Sequence, residues 1–451
     1  MMTRFKKAGW LLLLTLLPFA GKGQSHDTLR VNLEIALQVA LSDNPTIQIA
    51  DQEIQRVDYA KKEAWYGLIP TLTGTAQFSR YLSPGQMNMA GMLIDLPTQN
   101  MASASLSLSL PLIVPALWKS IQLTELQMQM AYEQARTSKI TLRNEVAKAY
   151  YQILLAQDSY NTLQDGFELA KQNYEEAKQR FDLGLAAEYD YISAEVQMQN
   201  LIPTISQVEN GIAQAKSYLK VLMGVDLAIP LHVEGKLTDF EKNIGGFIQT
   251  KDFSLANNSD LAQIDIQLKQ LQKSLQLQQT QRLPVLVGFG QYGQSGTSNK
   301  PGTYNFGQMP IVVEDPKMSW YSTGAIIGLQ LNIPIFNYTN ILKEKQIKTS
   351  AKTLQLQRSY VEDNLNLQVT AAMDNMSKAI EQMEASMKGI QLAEKGYTIS
   401  LERYNNDMGT MLELRSASQA LTQAKLSYNQ AIADYLTAKA DYEKVLGTID
   451  N

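Results

Sequence analysis

The 451-residue chain contains no cysteine and only two histidines, His26 and His232. Disulfides, thiolate metal sites, iron–sulfur clusters and cysteine nucleophiles are therefore excluded, and two histidines cannot form a histidine-rich metal or catalytic site. Charged residues are also scarce, at 19% against roughly 25% in an average soluble domain. The formal net charge is −4, which argues against a nucleic-acid partner.

Local motifs of the common enzyme classes are missing as well. There is no nucleophile elbow, phosphate-binding loop or metal-ligand spacing, and Gly288-Phe289-Gly290 is a single G-x-G inside a strand pattern. The scattered acidic residues are typical of solvated helix faces. We therefore expect a protein that is not an enzyme and that uses no cofactor or metal.

Residues 1–23 predict a secretory signal peptide. Three basic residues precede an uncharged, leucine-rich stretch from Gly9 to Ala20, and Gly21 and Gly23 follow it. This stretch is too short to span a bilayer as a stable helix. The alternative is an N-terminal membrane anchor, but no basic stop-transfer flank follows the apolar stretch. The rest of the chain contains no run of about 18 apolar residues, so we expect no transmembrane helix there. We expect an exported protein.

The chain consists of two related halves. Residues that recur at matching places are Asn44 and Asn258, Pro70 and Pro284, Pro111 and Pro334, Phe181 and Tyr404, and Asp190 and Glu413. The first repeat therefore occupies about 44–223, within a mature unit of 24–223, and the second about 258–447, within 258–451. Residues 224–257 form an inter-repeat linker that is rich in glycine and proline breakers.

Charge-free segments with a period of two predict one pair of strands in each half, at about 70–81 and 101–112 and at about 284–293 and 320–333. In the last strand the alternation places Tyr321 and Ile327 on the apolar face and Ile326 on the other. An apolar face opposite small polar groups suits a strand between lipid and a wet lumen. The alternative is a soluble antiparallel sheet, which normally carries lysine or glutamate on its wet face. Residues 82–100 and 294–319 are expected to be long loops.

Four strands are too few to close a barrel, and open sheet edges cannot lie in lipid. We therefore expect several copies to share one barrel, with eight strands from two copies or twelve from three. The strand pattern leaves the number of copies open.

Long heptad patterns predict helices at 116–182 and 187–222 in the first half and at 338–404 and 410–446 in the second. The longest would extend roughly 100 Å at 1.5 Å per residue. Their remaining faces are polar on both sides, which favours a hollow tube over a solid bundle. A structural coiled coil without a pore is the alternative interpretation of the heptads alone.

Together these features resemble the outer membrane efflux protein family, the TolC-like channels, over nearly the whole mature chain. The resemblance rests on the two-fold repeat and on Asn44-Pro45, Leu68-Ile69-Pro70, Arg180-Phe181-Asp182-Leu183-Gly184 and Arg403-Tyr404 with Met408-Gly409-Thr410. It implies a homotrimer with a shared twelve-stranded barrel in the outer membrane and a long α-helical tunnel in the periplasm. It further implies passive export of drugs, metals or proteins in an efflux or type I secretion system, with a periplasmic adaptor and an inner-membrane transporter. A periplasmic adaptor itself would show one helical hairpin and glycine-rich β domains.

The resemblance also implies an iris-like gate at the periplasmic tip, around the turns between the paired helices. Asp190 matches an acidic gate position, Tyr404 a gate tyrosine and Glu413 a lumen-facing acid. Phe181 and Gly184 belong to the corresponding motif of the first half. Three copies of Asp190 or Glu413 around an opening would form an acidic, cation-favouring ring. Stabilisation of the helix dipole is the alternative role of these acids.

Two departures from the family pattern concern this gate. Ser416 lies where some members have a second acidic residue, and Gly409 lies where some have a gate arginine. We therefore expect the Tyr–Asp–Arg network of the gate to be incomplete. In addition, Asp407 replaces the glycine that Gly184 supplies in the first half, and a glycine follows two residues later, at Gly409.

Overall fold

A computed structural model describes residues 28–83, 85–89, 91–244, 253–306, 309–314 and 317–448. The expected signal peptide at 1–23 and His26 lie outside the described residues. The helices are α1 (Leu33–Asp43), α2 (Pro45–Tyr66), α3 (Pro115–Asp182), α4 (Glu188–Met223), α5 (Ser259–Thr280), α6 (Tyr338–Asn405) and α7 (Met411–Leu446), with a 3-10 helix at Leu237–Asn243. The strands are β1 (Leu29–Val31), β2 (Thr71–Arg80), β3 (Gly85–Met89), β4 (Met92–Leu96), β5 (Thr98–Ile113), β6 (Leu231–Val233), β7 (Val285–Asn299), β8 (Gly302–Phe306), β9 (Met309–Val313) and β10 (Ser319–Asn332).

The helices of the two halves match in length and order. Both α3 and α6 have 68 residues, α4 and α7 have 36, and α2 and α5 have 22. At 1.5 Å per residue the longest helices extend about 100 Å. None of the described helices combines the length and the apolar character that a membrane-crossing helix needs.

Repeated asparagines join the short helices to the long ones. The side-chain oxygen of Asn44 caps α2, and its Nδ2 donates to the carbonyl of Leu222 at the end of α4 at 2.7 Å. Asn258 caps α5 in the same way and donates to the carbonyl of Val445 in α7 at 2.7 Å. Both α4 and α7 end in a left-handed glycine, Gly224 and Gly447. A Cβ atom at Gly224 would lie 2.6 Å from the backbone oxygen of Asp43, the last residue of α1. Asn44 and Asn258 therefore recur in the sequence because each joins the start of a short helix to the end of a long one, once in each half.

We expect Asn258→Ala to destabilise the protein by about 2–4 kcal/mol. The change removes the cap of α5, worth about 1 kcal/mol, and leaves the buried Val445 carbonyl without a donor, which costs about 1–3 kcal/mol. Asn32→Ala is the matched control, because Asn32 caps α1 through the backbone N–H of Ile35 and makes no second hydrogen bond to a distant helix end within the described residues. Thermal unfolding followed by circular dichroism measures both. An equal loss of stability in the two variants would contradict this role of the junction.

The four long strands form one antiparallel sheet in the order β10-β7-β5-β2. The register aligns apolar residues across the strands: Leu72 faces Leu108, Leu108 faces Gly290, and Gly290 faces Ile327. The large side chains in this row are exposed. The opposite face carries the serines and threonines of β2 and β5. Both edge strands, β2 and β10, have one side without a strand partner within the described chain.

A bulge in β10 reverses the faces that we expected for the residues before it in the last strand. Ser322 pairs with Gln294, but Gly324 pairs with Gly293, so one extra residue lies in β10 between them. Gly324 has φ 89°, a left-handed conformation that glycine adopts readily. Because side chains alternate, the bulge moves Tyr321 to the polar face and brings Trp320 to the apolar face. The placement of Tyr321 on the apolar face was therefore wrong.

The segments 82–100 and 294–319, expected to be loops, contain further strands. In the first, β3 pairs with β4 and β5 already begins at Thr98. In the second, β7 continues to Asn299 and β8 pairs with β9. Both hairpins have strands of five residues, too short to establish a recognisable alternation. Each pair of long strands is therefore connected through a small, separate two-stranded hairpin at the end that lies away from the long helices.

The linker 224–257 contributes to the main core rather than passing over it. Its strand β6 pairs in parallel with β1, and Leu237 and Ile244 are fully buried. Tyr150 of α3 donates a hydrogen bond from its hydroxyl to the carbonyl of Glu234. Residues 245–252 lie outside the described part of this segment. Residues 224–244 thus pack against the middle of α3 and against α7.

Candidate gate at the helical tip

The far ends of the four long helices meet in a small separate core. Ala177, Ala194, Tyr404, Met411 and Leu414 are buried there, one or more from each of α3, α4, α6 and α7. Small residues on α3 and α4 permit the close approach of the helices that bear the larger side chains. The tip is therefore a defined packing unit, and the two turns at 183–187 and 406–410 lie on it.

The two turns reverse the chain with related geometry. Gly184 has φ 75°, and its counterpart Asp407 has φ 60°, the one left-handed residue other than glycine in the described chain. Aspartate tolerates this conformation better than most side chains. Gly409 follows because a Cβ atom there would lie 3.1 Å from Cβ of Arg403 and 3.2 Å from the backbone nitrogen of Tyr404. The second turn thus needs its glycine for close packing, not for the left-handed position.

Arg180 links the two turns. Its guanidinium forms an ion pair with Asp407, and Nη1 donates to the carbonyl of Asn405 at 3.2 Å. Its Cζ atom lies 5.1 Å from the ring centroid of Tyr404, a cation–π contact. The Arg180 side chain is 16% exposed and that of Asp407 is 74% exposed, so water screens the ion pair more than it screens the other two contacts. The end of α3 is therefore tied to the end of α6 and to the turn that follows.

Arg403, the counterpart of Arg180 in the second half, makes its interactions within its own turn. Its Nη2 donates to the carbonyl of Met408 at 2.9 Å and lies 3.8 Å from a carboxylate oxygen of Glu413. Both charged side chains are about half exposed. Glu413 also lies in the first turn of α7, where Thr410 caps the helix. Glu413 therefore lies where a negative charge favours the dipole of α7, and Arg403 partly neutralises that charge.

Tyr404 and Asp190 are close enough to interact electrostatically. Tyr404 is 4% exposed, and its hydroxyl has no hydrogen-bond partner within the described residues. Burial raises the pKa of Tyr404 above its ordinary value; the charge of Asp190 raises it further, and Arg180 opposes the shift. Tyr404 is therefore neutral at physiological pH and can still donate a hydrogen bond.

Two further contacts join the helix ends. The rings of Phe181 and Tyr191 lie 4.8 Å apart and hold the end of α3 against the start of α4. Arg415 of α7 donates from Nη1 to the hydroxyl of Ser193 in α4 at 3.1 Å. Of the six residues selected from the sequence, Asp190 lies near enough for its charge to raise the pKa of Tyr404. Phe181 packs against Tyr191, and Gly184 lies in the first turn. Gly409 lies in the second turn, close to the backbone of Tyr404, and Glu413 lies at the start of α7.

The sequence analysis named Arg180 and Asp407 as parts of the turn motifs but did not select them as site residues. It did not select Arg415 or Ser193 either. The gate arginine was sought at the position of Gly409, whereas the structure brings an arginine to Tyr404 from α3. The recurrence of Arg180 and Arg403 in the repeat was a signal, but it gave no indication that the two arginines make different contacts. Within the described chain, no group of three or more histidine, aspartate or glutamate side chains is arranged to hold a metal ion.

Comparison with known proteins places these features in context. A family model described as outer membrane efflux protein matches residues 36–225 and 252–448. The outer membrane protein TolC of Salmonella enteritidis is 24% identical over 430 residues, covering 93% of this chain and 82% of the relative. The structure of CusC has a TM-score of 0.73 at 15% identity and covers 92% of this chain and 91% of that one. The outer-membrane channel OprN has a TM-score of 0.71 at 14% identity, with coverages of 92% and 89%.

Proposed function

The chain belongs to the outer membrane efflux protein family, and from this premise we propose that three copies form an exit duct through the outer membrane. Their twelve long strands would make one barrel, and their long helices would make a tunnel that extends into the periplasm. The duct conducts solutes passively. A periplasmic adaptor and an inner-membrane transporter would deliver the cargo at the helical tip.

The observation that carries this proposal is the four-stranded sheet with an exposed apolar face and two open edges. Ile327 is 92% exposed, and its neighbours in the row are apolar as well. A water-soluble monomer rarely exposes such a contiguous surface. In lipid the open edges of β2 and β10 need backbone partners, because nothing else there can satisfy them. Pairing of β10 with β2 of the next copy satisfies both edges, and three copies close the ring.

The dimensions of the apolar face fit a bilayer. Along β5 it extends from Ala102 to Leu112, about 33 Å at 3.3 Å per residue and about 25 Å when tilted as membrane strands are. Phe78 and Trp320 lie at one end, aligned through Ala102 and Gly296. At the helical end, Trp65 and Trp118 pack edge to face at 6.2 Å. Aromatic residues at both borders are typical of membrane barrels.

At the tip, the contacts of Arg180 with Asp407 and Tyr404 would hold the turns together in the closed state. Asp190 lies beside them and would contribute one acidic group per copy to the opening. Because Glu413 is paired with Arg403, we assign Asp190 the larger effect on passing ions.

Asp190→Asn combined with Glu413→Gln should lower the cation selectivity of the duct. Removing two acidic groups per copy weakens the negative potential at the constriction, and Asp190→Asn alone should account for most of the change. Reversal potentials under a potassium chloride gradient in planar bilayers measure this. Asp51→Asn, on α2 and remote from the tip, is the control for general charge loss. Unchanged selectivity in the double variant would remove both residues from the pore.

The function itself is tested with the full-length protein extracted from membranes. We expect it in the outer-membrane fraction, as a trimer in detergent that migrates differently before and after heating, with discrete conductance steps in planar bilayers. A periplasmic adaptor or a structural coiled coil without a pore would give no conductance. A monomer that is soluble without detergent would refute the duct.

A further inference from the structure

We propose that α6 carries a lysine stripe, Lys345, Lys348 and Lys352, that binds the anionic headgroups of phospholipids at the periplasmic border of the membrane. This inference rests on the proposed duct and goes beyond it by naming the residues that meet the lipid surface and the charge of the lipid. Four features of α6 support it: the position of its charges along the helix, the face on which they lie, their lack of partners and their distance from the aromatic border.

The charges of α6 are separated along the helix. Residues 338–361, which follow the end of β10 at Asn332, contain five basic residues and one acidic residue. Residues 362–405, which lead to the helical tip, contain four basic and seven acidic residues. The positive end of α6 is therefore the end that adjoins the membrane sheet, and the negative end is the one that lies away from it.

The lysine stripe occupies one face of this positive end. Its members are spaced by three and four residues, so they lie on the same side of the helix, and all three are exposed. None of the described carboxylates forms an ion pair with these lysines, whereas Glu344 pairs with Arg282 and Arg358 pairs with Asp265 in the same segment. The stripe therefore carries three positive charges without a counter-charge in the described part of the chain.

The internal repeat places the lysine stripe below the aromatic border. Each residue of α6 corresponds to the residue of α3 that lies 223 positions earlier, since Tyr338 begins α6 and Pro115 begins α3. Ile341, one turn before the stripe and on the same face, corresponds to Trp118, whose ring packs against Trp65 at the helical border of the lipid face. The stripe therefore continues away from this border along the face that meets lipid.

The positive charge is a property of α6 and not of the repeated helical frame. In α3 the three positions of the stripe are occupied by Gln122, Glu125 and Gln129. Glu125 pairs with Lys61 of α2 at 3.5 Å, so the basic residue at this level of the first half has its counter-charge inside the chain. In α6 the position of Glu125 is taken by Lys348. The second half lacks the internal compensation, and an anion from outside the chain would supply it.

The distances along the helix fit a headgroup layer. At 1.5 Å per residue, Lys345 lies about 6 Å beyond the level of Ile341, Lys348 about 10 Å and Lys352 about 16 Å. The polar layer on each side of the hydrocarbon core is roughly 5–8 Å thick, and lysine side chains extend along a helix toward headgroups. Lys345 and Lys348 therefore reach the phosphates, and the extended side chain of Lys352 remains within the screening length of about 8 Å from them.

Anionic phospholipids match the lysine stripe better than zwitterionic ones. An ammonium group donates hydrogen bonds to a phosphate and attracts its charge, whereas a zwitterionic headgroup adds an amine that offsets this attraction. Each lysine close to an anionic membrane surface raises the affinity about fivefold. Three copies would present the stripe three times, as a basic collar around the tunnel directly below the membrane.

Lipid binding by the full-length trimer in detergent tests the lysine stripe. The trimer is mixed with phosphatidylglycerol, which is anionic, or with phosphatidylethanolamine, which is zwitterionic, and native mass spectrometry counts the bound lipids. We expect the unsubstituted protein to bind phosphatidylglycerol at least tenfold more tightly than phosphatidylethanolamine. Lys345→Gln, Lys348→Gln and Lys352→Gln combined should reduce this preference to less than about twofold. Excess glycerol 3-phosphate, a free anion of the same headgroup chemistry, should not displace the lipid.

Lys343→Gln is the matched control for Lys348→Gln. Lys343 is also exposed and lies at the same end of α6, but at 3.6 residues per turn it lies on the opposite face of the helix from the lysine stripe. Lys348→Gln alone should lower the preference for phosphatidylglycerol about fivefold, whereas Lys343→Gln should change it by less than about twofold. Each variant removes one positive charge, so the two differ only in where that charge lies.

The outcomes separate the lipid contact from the function. Equal effects of Lys343→Gln and Lys348→Gln, or displacement of the lipid by glycerol 3-phosphate, would overturn the lipid-binding stripe. A triple variant that keeps its lipid preference but changes the ion selectivity of the pore would place the stripe in the lumen and would overturn it with the duct intact. Loss of the trimer in the triple variant would show that the lysines pair with another copy instead of with lipid. An unsubstituted protein that is monomeric and does not conduct would refute the proposed function itself.

Discussion

Ile327→Arg should prevent assembly in the outer membrane, whereas Ile326→Arg, one residue earlier, should permit it. Ile327 belongs to the apolar row and pairs with Gly290, while Ile326 pairs with Gln291 on the opposite face. An arginine near the middle of the lipid face of a membrane barrel costs about 2–4 kcal/mol, and each copy in the trimer would carry one. On the lumen face the same side chain remains in water and costs little.

The yield of heat-modifiable trimer in the outer-membrane fraction measures this difference. We expect Ile327→Arg to reduce the trimer by more than tenfold and Ile326→Arg to leave it near the level of the unsubstituted protein. Ile326→Arg should in addition shift the selectivity of the pore toward anions, because it adds a positive charge to the lumen. Both variants replace an isoleucine of β10 with arginine, so they differ only in the face of the sheet that carries the arginine. Equal loss in both would show that the faces are wrongly assigned.

Arg180→Ala should open the closed duct and raise its conductance. The substitution removes the ion pair with Asp407, the bond to the carbonyl of Asn405 and the contact with the Tyr404 ring. If these contacts hold the closed state by about 2 kcal/mol, as charge-assisted bonds of a mostly buried group do, their loss shifts the balance toward the open state roughly 30-fold. Single-channel recording in planar bilayers measures the conductance and the fraction of time spent open.

Arg403→Ala is the matched control, since Arg403 is the repeat counterpart of Arg180 and also lies at the end of a long helix. Its interactions stay within residues 403–413 and do not reach the first half of the chain. Its loss should therefore change the open fraction by less than about twofold, in keeping with the small value of exposed ion pairs. Asp407→Asn tests the same link from the other side. Asparagine tolerates the left-handed conformation of this turn but cannot pair with Arg180 as a charge. If Arg180→Ala leaves conductance unchanged, the link between the turns does not hold the gate.

The sequence alone determined the large elements. The heptad pattern placed a helix at 116–182, and α3 spans Pro115–Asp182; the strand pattern placed a strand at 320–333, and β10 spans Ser319–Asn332. Long periodic segments can be assigned from the sequence because a 3.5-residue or two-residue pattern, held over many residues, fits only one type of secondary structure. The repeat was equally evident, since both halves carry the same helix-capping asparagine and the same turn motifs.

Only the tertiary structure decided where several of these residues act. The bulge in β10 depends on pairing with β7, and one extra residue reverses the faces of Trp320 and Tyr321. The contact of Arg180 with Tyr404 joins residues more than 200 positions apart, and no local pattern distinguishes Arg180 from its counterpart Arg403. The sequence by itself thus determined periodicity, capping and duplication, which depend on neighbouring residues. The tertiary structure decided the strand faces and the contacts at the helical tip, because these depend on contacts between distant parts of the chain.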